Sequence, residues 1–102
     1  MELKKEISGN KTKFTVAGEM SVEEAQAFTD ALMNSIAKKK PELEIDLSDC
    51  EYMCSNGLGA LAAALMVARS RGGDLVLTAV SNNVKKLLDI TTLSTIINIK
   101  KK

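Results

Sequence analysis

The sequence predicts an α/β fold: a mixed, mostly parallel sheet that opens with a β-hairpin and carries its helices packed mainly on one face. Three observations predict it. Two short segments of alternating character flank the turn-forming residues Ser8-Gly9-Asn10. Beyond them, segments with apolar residues at three- and four-residue steps interleave with segments of period two. Strands separated by helices are normally parallel neighbours joined by right-handed crossovers, so the sheet after the hairpin is expected to be parallel. A chain of 102 residues has the size of one domain, expected to span 1–102.

Leu3 to Ile7 and Lys13 to Ala17 are the hairpin strands. Ser21-Val22-Glu23-Glu24 then offers a capping box, in which the Ser21 hydroxyl accepts from the backbone of Glu24 while the Glu24 carboxylate reaches back. Val22, Ala25, Phe28, Leu32 and Ile36 form one apolar stripe on the helix that follows. Lys38 to Lys40 are expected at its end, where the helix dipole favours cations, and Pro41 closes it. Leu43, Ile45 and Leu47 alternate with Glu44, Asp46 and Ser48 as in a half-buried strand, and Asp49 to Cys54 are expected to be a loop. Ser55 to Arg71 read as a second helix stopped by Gly72-Gly73, and Leu75 to Val80 as the next strand. Ser81 or Asn82 caps a short third helix with Val84, Leu87 and Leu88 on one side, and Ile96 to Ile99 are the last strand.

Composition excludes several function classes. With Lys and Arg at 14 against Asp and Glu at 13, the formal charge is +1, which argues against nucleic acid as a direct partner. Phe14, Phe28 and Tyr52 are the only aromatic residues, so base-stacking platforms are missing too. Histidine is absent, which removes the commonest general base and the common imidazole ligand; no catalytic residue, metal site or cofactor is expected. Asp46 and Asp49 are accounted for by strand and turn positions. Cys50 and Cys54 do not form a CxxC pair and read as reduced thiols. The most apolar run, Leu58 to Ala68, has roughly half the length of a membrane span, and no basic segment leads into an apolar stretch. A cytoplasmic protein without membrane insertion is expected. Lys100 to Lys102 read as a solvated terminus.

The second helix is unusual, because it carries no charge on any face from Leu58 until Arg69. Leu58, Leu61, Ala62, Leu65 and Ala68 make a core-facing stripe, which leaves Ala60, Ala63, Ala64 and Val67 for a second face. Either tertiary structure covers that face or another protein does. At its start stands Met53-Cys54-Ser55-Asn56-Gly57-Leu58-Gly59, with Ser55 in position to cap the helix. Two glycines in a first turn cost about 1 kcal/mol each relative to alanine, so something approaches this backbone closely. Gly57-Leu58-Gly59-Ala60-Leu61-Ala62 formally matches a dinucleotide fingerprint. Its context is wrong, since Ser48 to Asn56 separate it from the preceding strand and no acidic residue ends the next one.

This element order resembles the STAS family, the sulphate transporter and anti-sigma factor antagonist domains, and most closely its stand-alone bacterial antagonists. The residues that carry the likeness are Phe14-Thr15-Val16-Ala17-Gly18-Glu19, then Ile45-Asp46-Leu47-Ser48 into Tyr52-Met53-Cys54-Ser55-Asn56-Gly57-Leu58-Gly59, and Val84 to Thr91 near the end. The resemblance implies a non-catalytic switch, in which an anti-sigma factor that is also a kinase phosphorylates the serine matching Ser55. The unmodified form binds that anti-sigma factor; the phosphorylated form is released until a serine phosphatase restores it. Partner contacts would then involve Cys54, Asn56, Gly57, Gly59, Ala60, Ala63, Ala64 and Val67. Many family members carry Asp immediately before the serine, where this chain has Cys54. That departure keeps a second expectation open, a constitutive STAS subunit of a transporter or signalling assembly that is not phosphorylated. A monomer or weak dimer is expected in either case.

Overall fold

A computed structural model describes residues 1–100; the expectation for Lys101 and Lys102 lies outside the described residues. The element order is β1 (Glu2–Ser8), β2 (Lys11–Met20), α1 (Val22–Ser35), β3 (Glu42–Met53), α2 (Ser55–Ser70), β4 (Asp74–Val80), α3 (Asn82–Ile90), a short 3-10 turn (Leu93–Thr95) and β5 (Asn98–Ile99). The strands form one sheet in the order β1-β2-β3-β4-β5. β1 and β2 are the antiparallel hairpin, turned at Gly9 with φ +63°, and the remaining pairs are parallel.

Because successive parallel strands step in one direction across the sheet, right-handed crossovers place their helices on the same side. Burial follows that rule. Phe14 and Val16 of β2, Leu43, Ile45 and Leu47 of β3, and Leu75 and Leu77 of β4 are fully buried, and the residues between them are not. α1 brings Ala25, Phe28 and Leu32 to this core; α2 brings Leu58, Leu61, Leu65 and Ala68; α3 adds Val84 and Leu88.

α1 starts with the expected capping box: the Glu24 N–H donates to Ser21 Oγ at 3.3 Å and the Ser21 N–H donates to Glu24 Oε1 at 3.2 Å. Val22, at the edge of the predicted stripe, is 61% exposed instead of buried. The helix also ends earlier than expected, at Ser35, so Lys38 to Lys40 lie in the following turn and not at a helix end. The reason is local: Lys40 takes φ +48° before Pro41, and proline disfavours helical backbone in the residue it follows.

The segment Asp49 to Met53 is strand, not loop. Between β2 and β3 the register slips twice, once between Thr15 and Ala17 and once between Gly18 and Glu19, each slip inserting an extra residue into β3. These bulges break the alternation, so a strand that continues looks irregular as a sequence.

Candidate functional site

β3 runs extended to Met53, and Cys54 keeps an extended backbone with φ −69° and ψ 167°. Cys54 is therefore the N-cap of α2 and Ser55 the first helical residue; the sequence expectation that Ser55 caps the helix is corrected by this one-residue shift. The first intrahelical bond runs from the Leu58 N–H to the Cys54 carbonyl at 3.1 Å, and the Cys54 thiol caps nothing. Ser55 is exposed, and its hydroxyl has no hydrogen-bond partner among the described residues. Ahead of the first intrahelical bond, the N–H groups of Ser55, Asn56 and Gly57 remain without an intrahelical acceptor. The site thus combines a free hydroxyl with the positive end of a helix dipole, a place where added negative charge is tolerated.

The rest of α2 divides cleanly. Gly57, Leu58, Ala60, Leu61, Ala64, Leu65 and Ala68 are buried, while Ser55, Asn56, Gly59, Ala63 and Met66 are exposed and Ala62 and Val67 half-buried. Of the residues expected to meet a partner, Asn56, Gly59, Ala63 and Val67 share the open face. Cys54, Gly57, Ala60 and Ala64 do not: they are buried inside the monomer. This corrects the division of the helix, since tertiary structure takes two of the four alanine-face residues. Met66, 68% exposed, was absent from the expected surface. Its signal was the spacing Asn56, Gly59, Ala63, Met66, Ser70, which steps by three and four along one face.

The two glycines have different causes. A Cβ at Gly57 would lie 2.6 Å from Met20 Sδ and 2.7 Å from Met53 Cγ, so core methionines require its absence. A Cβ at Gly59 would meet nothing within 4 Å. Only Gly59 is left without an internal reason.

Beneath the site, Cys50 is buried and its thiol donates to the Tyr52 carbonyl at 3.4 Å; burial raises its pKa above the ordinary thiol value. Asp46 accepts from the N–H and hydroxyl of Ser48 at 2.9 and 2.7 Å. No helix among the described residues is long and apolar enough to cross a membrane.

The family model described as Mlab, STAS domain matches residues 3–98. The chain belongs to the STAS domain family. This STAS domain is 40% identical over 85 residues to the anti-sigma-B factor antagonist of Listeria monocytogenes, covering 83% of this chain and 75% of the relative. It is 34% identical over 93 residues to the anti-sigma-B factor antagonist of Bacillus subtilis, covering 91% and 84%. Among solved structures, an anti-sigma factor antagonist from Mycobacterium paratuberculosis superposes with TM-score 0.84 at 25% identity, over 99% of this chain and 86% of the other. The anti-sigma factor antagonist SpoIIAA in its unphosphorylated form shares the fold, with TM-score 0.79 at 12% identity over 99% and 89% of the two chains.

Proposed function

We propose that this STAS domain is a non-catalytic anti-sigma factor antagonist, which binds an anti-sigma factor kinase through the open face of α2 and is released when Ser55 is phosphorylated. The antagonist relatives support the binding role. The observation that carries the switch is the exposed, unbonded hydroxyl of Ser55 at the head of an uncharged helix face. Phosphorylation adds about −1.5 to −2 charges there. The helix dipole accepts that charge, so the fold survives. A docked partner has to desolvate it beside Gly59, Ala63 and Met66, which supply no cation, and a cost of a few kcal/mol is a loss of about a hundredfold in affinity. A serine phosphatase would return the protein to the binding form.

The test is a calorimetric titration of the host's purified anti-sigma factor with wild type, Ser55→Ala and Ser55→Asp, together with the intact mass of wild type after incubation with that factor and ATP. Ser55→Ala is expected to bind as wild type and Ser55→Asp about a hundredfold more weakly, with wild type gaining one phosphate. Equal affinities for the two variants overturn the switch.

A second reading, a constitutive STAS subunit of a transporter or signalling assembly, is favoured by Cys54, a buried thiol that caps nothing where many relatives place an aspartate. It predicts no phosphate on protein isolated from the native cell under several growth conditions.

A further inference from the structure

The sheet ends on two unlike edges. β5 has only two residues, whereas β1 pairs all seven of its residues with β2 without a register shift and has no strand on its other side among the described residues. Edge strands are normally blunted by short length, proline or a bulge, and β1 has none of these. Cross-strand partners share a face of the sheet, so Leu3, Lys5 and Ile7, opposite Val16, Phe14 and Thr12, lie on the helix side. Glu2, Lys4, Glu6 and Ser8 lie on the other. The helix layer stops short of this strand: Phe14 and Thr12 are buried, but Lys5 is exposed and Ile7 is 58% exposed.

The residues of this edge complement their own copies. Lys4, Glu6 and Lys13, the β2 residue opposite Glu6, form no salt bridge among the described residues. When a strand meets a second copy of itself antiparallel about a two-fold axis, paired side chains share a face, so one residue must meet its own copy at the axis. With Lys5 at the axis every residue of β1 is paired. Leu3 then faces the partner's Ile7, Lys4 faces the partner's Glu6, and symmetry repeats each contact. Neighbouring registers lose this match. Placing Lys4 at the axis sets Glu2 against the partner's Glu6 and Leu3 against the partner's Lys5; placing Glu6 there sets it against its own copy and Lys5 against the partner's Ile7. The best register has one adverse contact, Lys5 against the partner's Lys5, and a charge on the core-side face of an edge strand restrains pairing. Association is therefore weak and reversible.

We propose that β1 is a self-recognition edge, on which two copies of this chain join antiparallel with Lys5 at the axis, so that two five-stranded sheets become one. Backbone hydrogen bonds along the edge supply the attraction, and the Leu3–Ile7 and Lys4–Glu6 pairs select the register. The axis stands normal to the sheet, so the helices of both copies stay on one side. Their Ser55 ends point in opposite directions, away from the joined edge, and both remain open. The assignment is independent of what α2 binds.

The experiment is sedimentation velocity of the full chain at concentrations from about 10 μM to about 1 mM, with circular dichroism to verify folding of each variant. Wild type is expected to be half dimeric at about 0.1 mM, as befits a small interface. Lys4→Glu and Glu6→Lys each set like charges against each other twice and are expected to weaken the dimer about tenfold. The double variant Lys4→Glu with Glu6→Lys recreates the opposite-charge pairs and is expected to return to within about threefold of wild type. Lys5→Thr, which removes the contact at the axis and favours strand, is expected to tighten the dimer about tenfold. Wild type and Lys5→Thr both remaining monomeric at about 1 mM overturns the proposal. So does a dimer whose strength ignores the single charge reversals, or one that the double reversal fails to restore, because such a dimer forms on another surface or in another register.

Discussion

At Thr12 the fold buries a hydroxyl for no local return: Oγ1 is inaccessible and has no hydrogen-bond partner among the described residues. Valine has nearly the same shape and nothing to satisfy. Thr12→Val is expected to stabilise the protein by about 1 kcal/mol, measured as a higher urea midpoint at unchanged slope. A lower midpoint would mean that the hydroxyl is bonded in solution. Single residues were the least legible level of the sequence. Gly57 and Gly59 are two positions apart and identical as letters, yet one is dictated by Met20 and Met53 and the other by nothing inside the molecule. The Ser55 hydroxyl stands out in the sequence as a candidate, but the one-residue shift that frees it from capping depends on β3 staying extended through Met53, and no local signal carries that information.

Elements were easier to read where they begin than where they end. The capping box of α1 and the Ser81 cap of α3, whose Oγ accepts from the Val84 N–H at 3.2 Å, follow from short polar side chains at fixed offsets. The end of α1 and the bulged half of β3 were misread because a left-handed Lys40 and two register slips are tertiary choices. In α2 the difficulty was the reverse of a weak signal: with apolar residues all round, hydropathy cannot say which alanines face the core. α3 is an element whose stability responds to pH. The Lys85 ammonium, 2.7 Å from Asp89 one turn on, is the main cause holding the Asp89 carboxyl below its usual pKa, with Ser94 adding to it. A carboxyl with a lowered folded pKa contributes stability that is present above its unfolded value, about 3.9, and is lost as pH falls through the folded value. Wild type should therefore be more stable than Asp89→Asn at neutral pH, with the difference in melting temperature vanishing in the acid limb; a constant difference across that range would remove the ion pair as its cause.

At the scale of the whole molecule the topology was the best-predicted feature, because alternation of element types, handedness and a short length leave few ways to connect a sheet. The pole opposite Ser55 is where that topology is most tightly closed. The Asp74 N–H donates to the Pro41 carbonyl at 3.0 Å, joining the turns that enter β3 and β4, and a Cβ on Gly73 would lie 1.9 Å from the same Pro41 oxygen. Gly73→Ala must push two backbones apart and is expected to cost about 3 kcal/mol, read by urea denaturation; a variant as stable as wild type would show that the two turns are free to separate.

The sheet order also bears on synthesis. Each strand sits beside the one made just before it, so a nascent polypeptide leaving the ribosome can lay down the sheet by accretion and never holds a vacancy for a segment not yet translated. Chains halted partway would carry a correctly started sheet with one unfinished margin, and the outer half of β3 would gain its tie to α3 only after Ser81 has emerged to bond the Cys50 carbonyl.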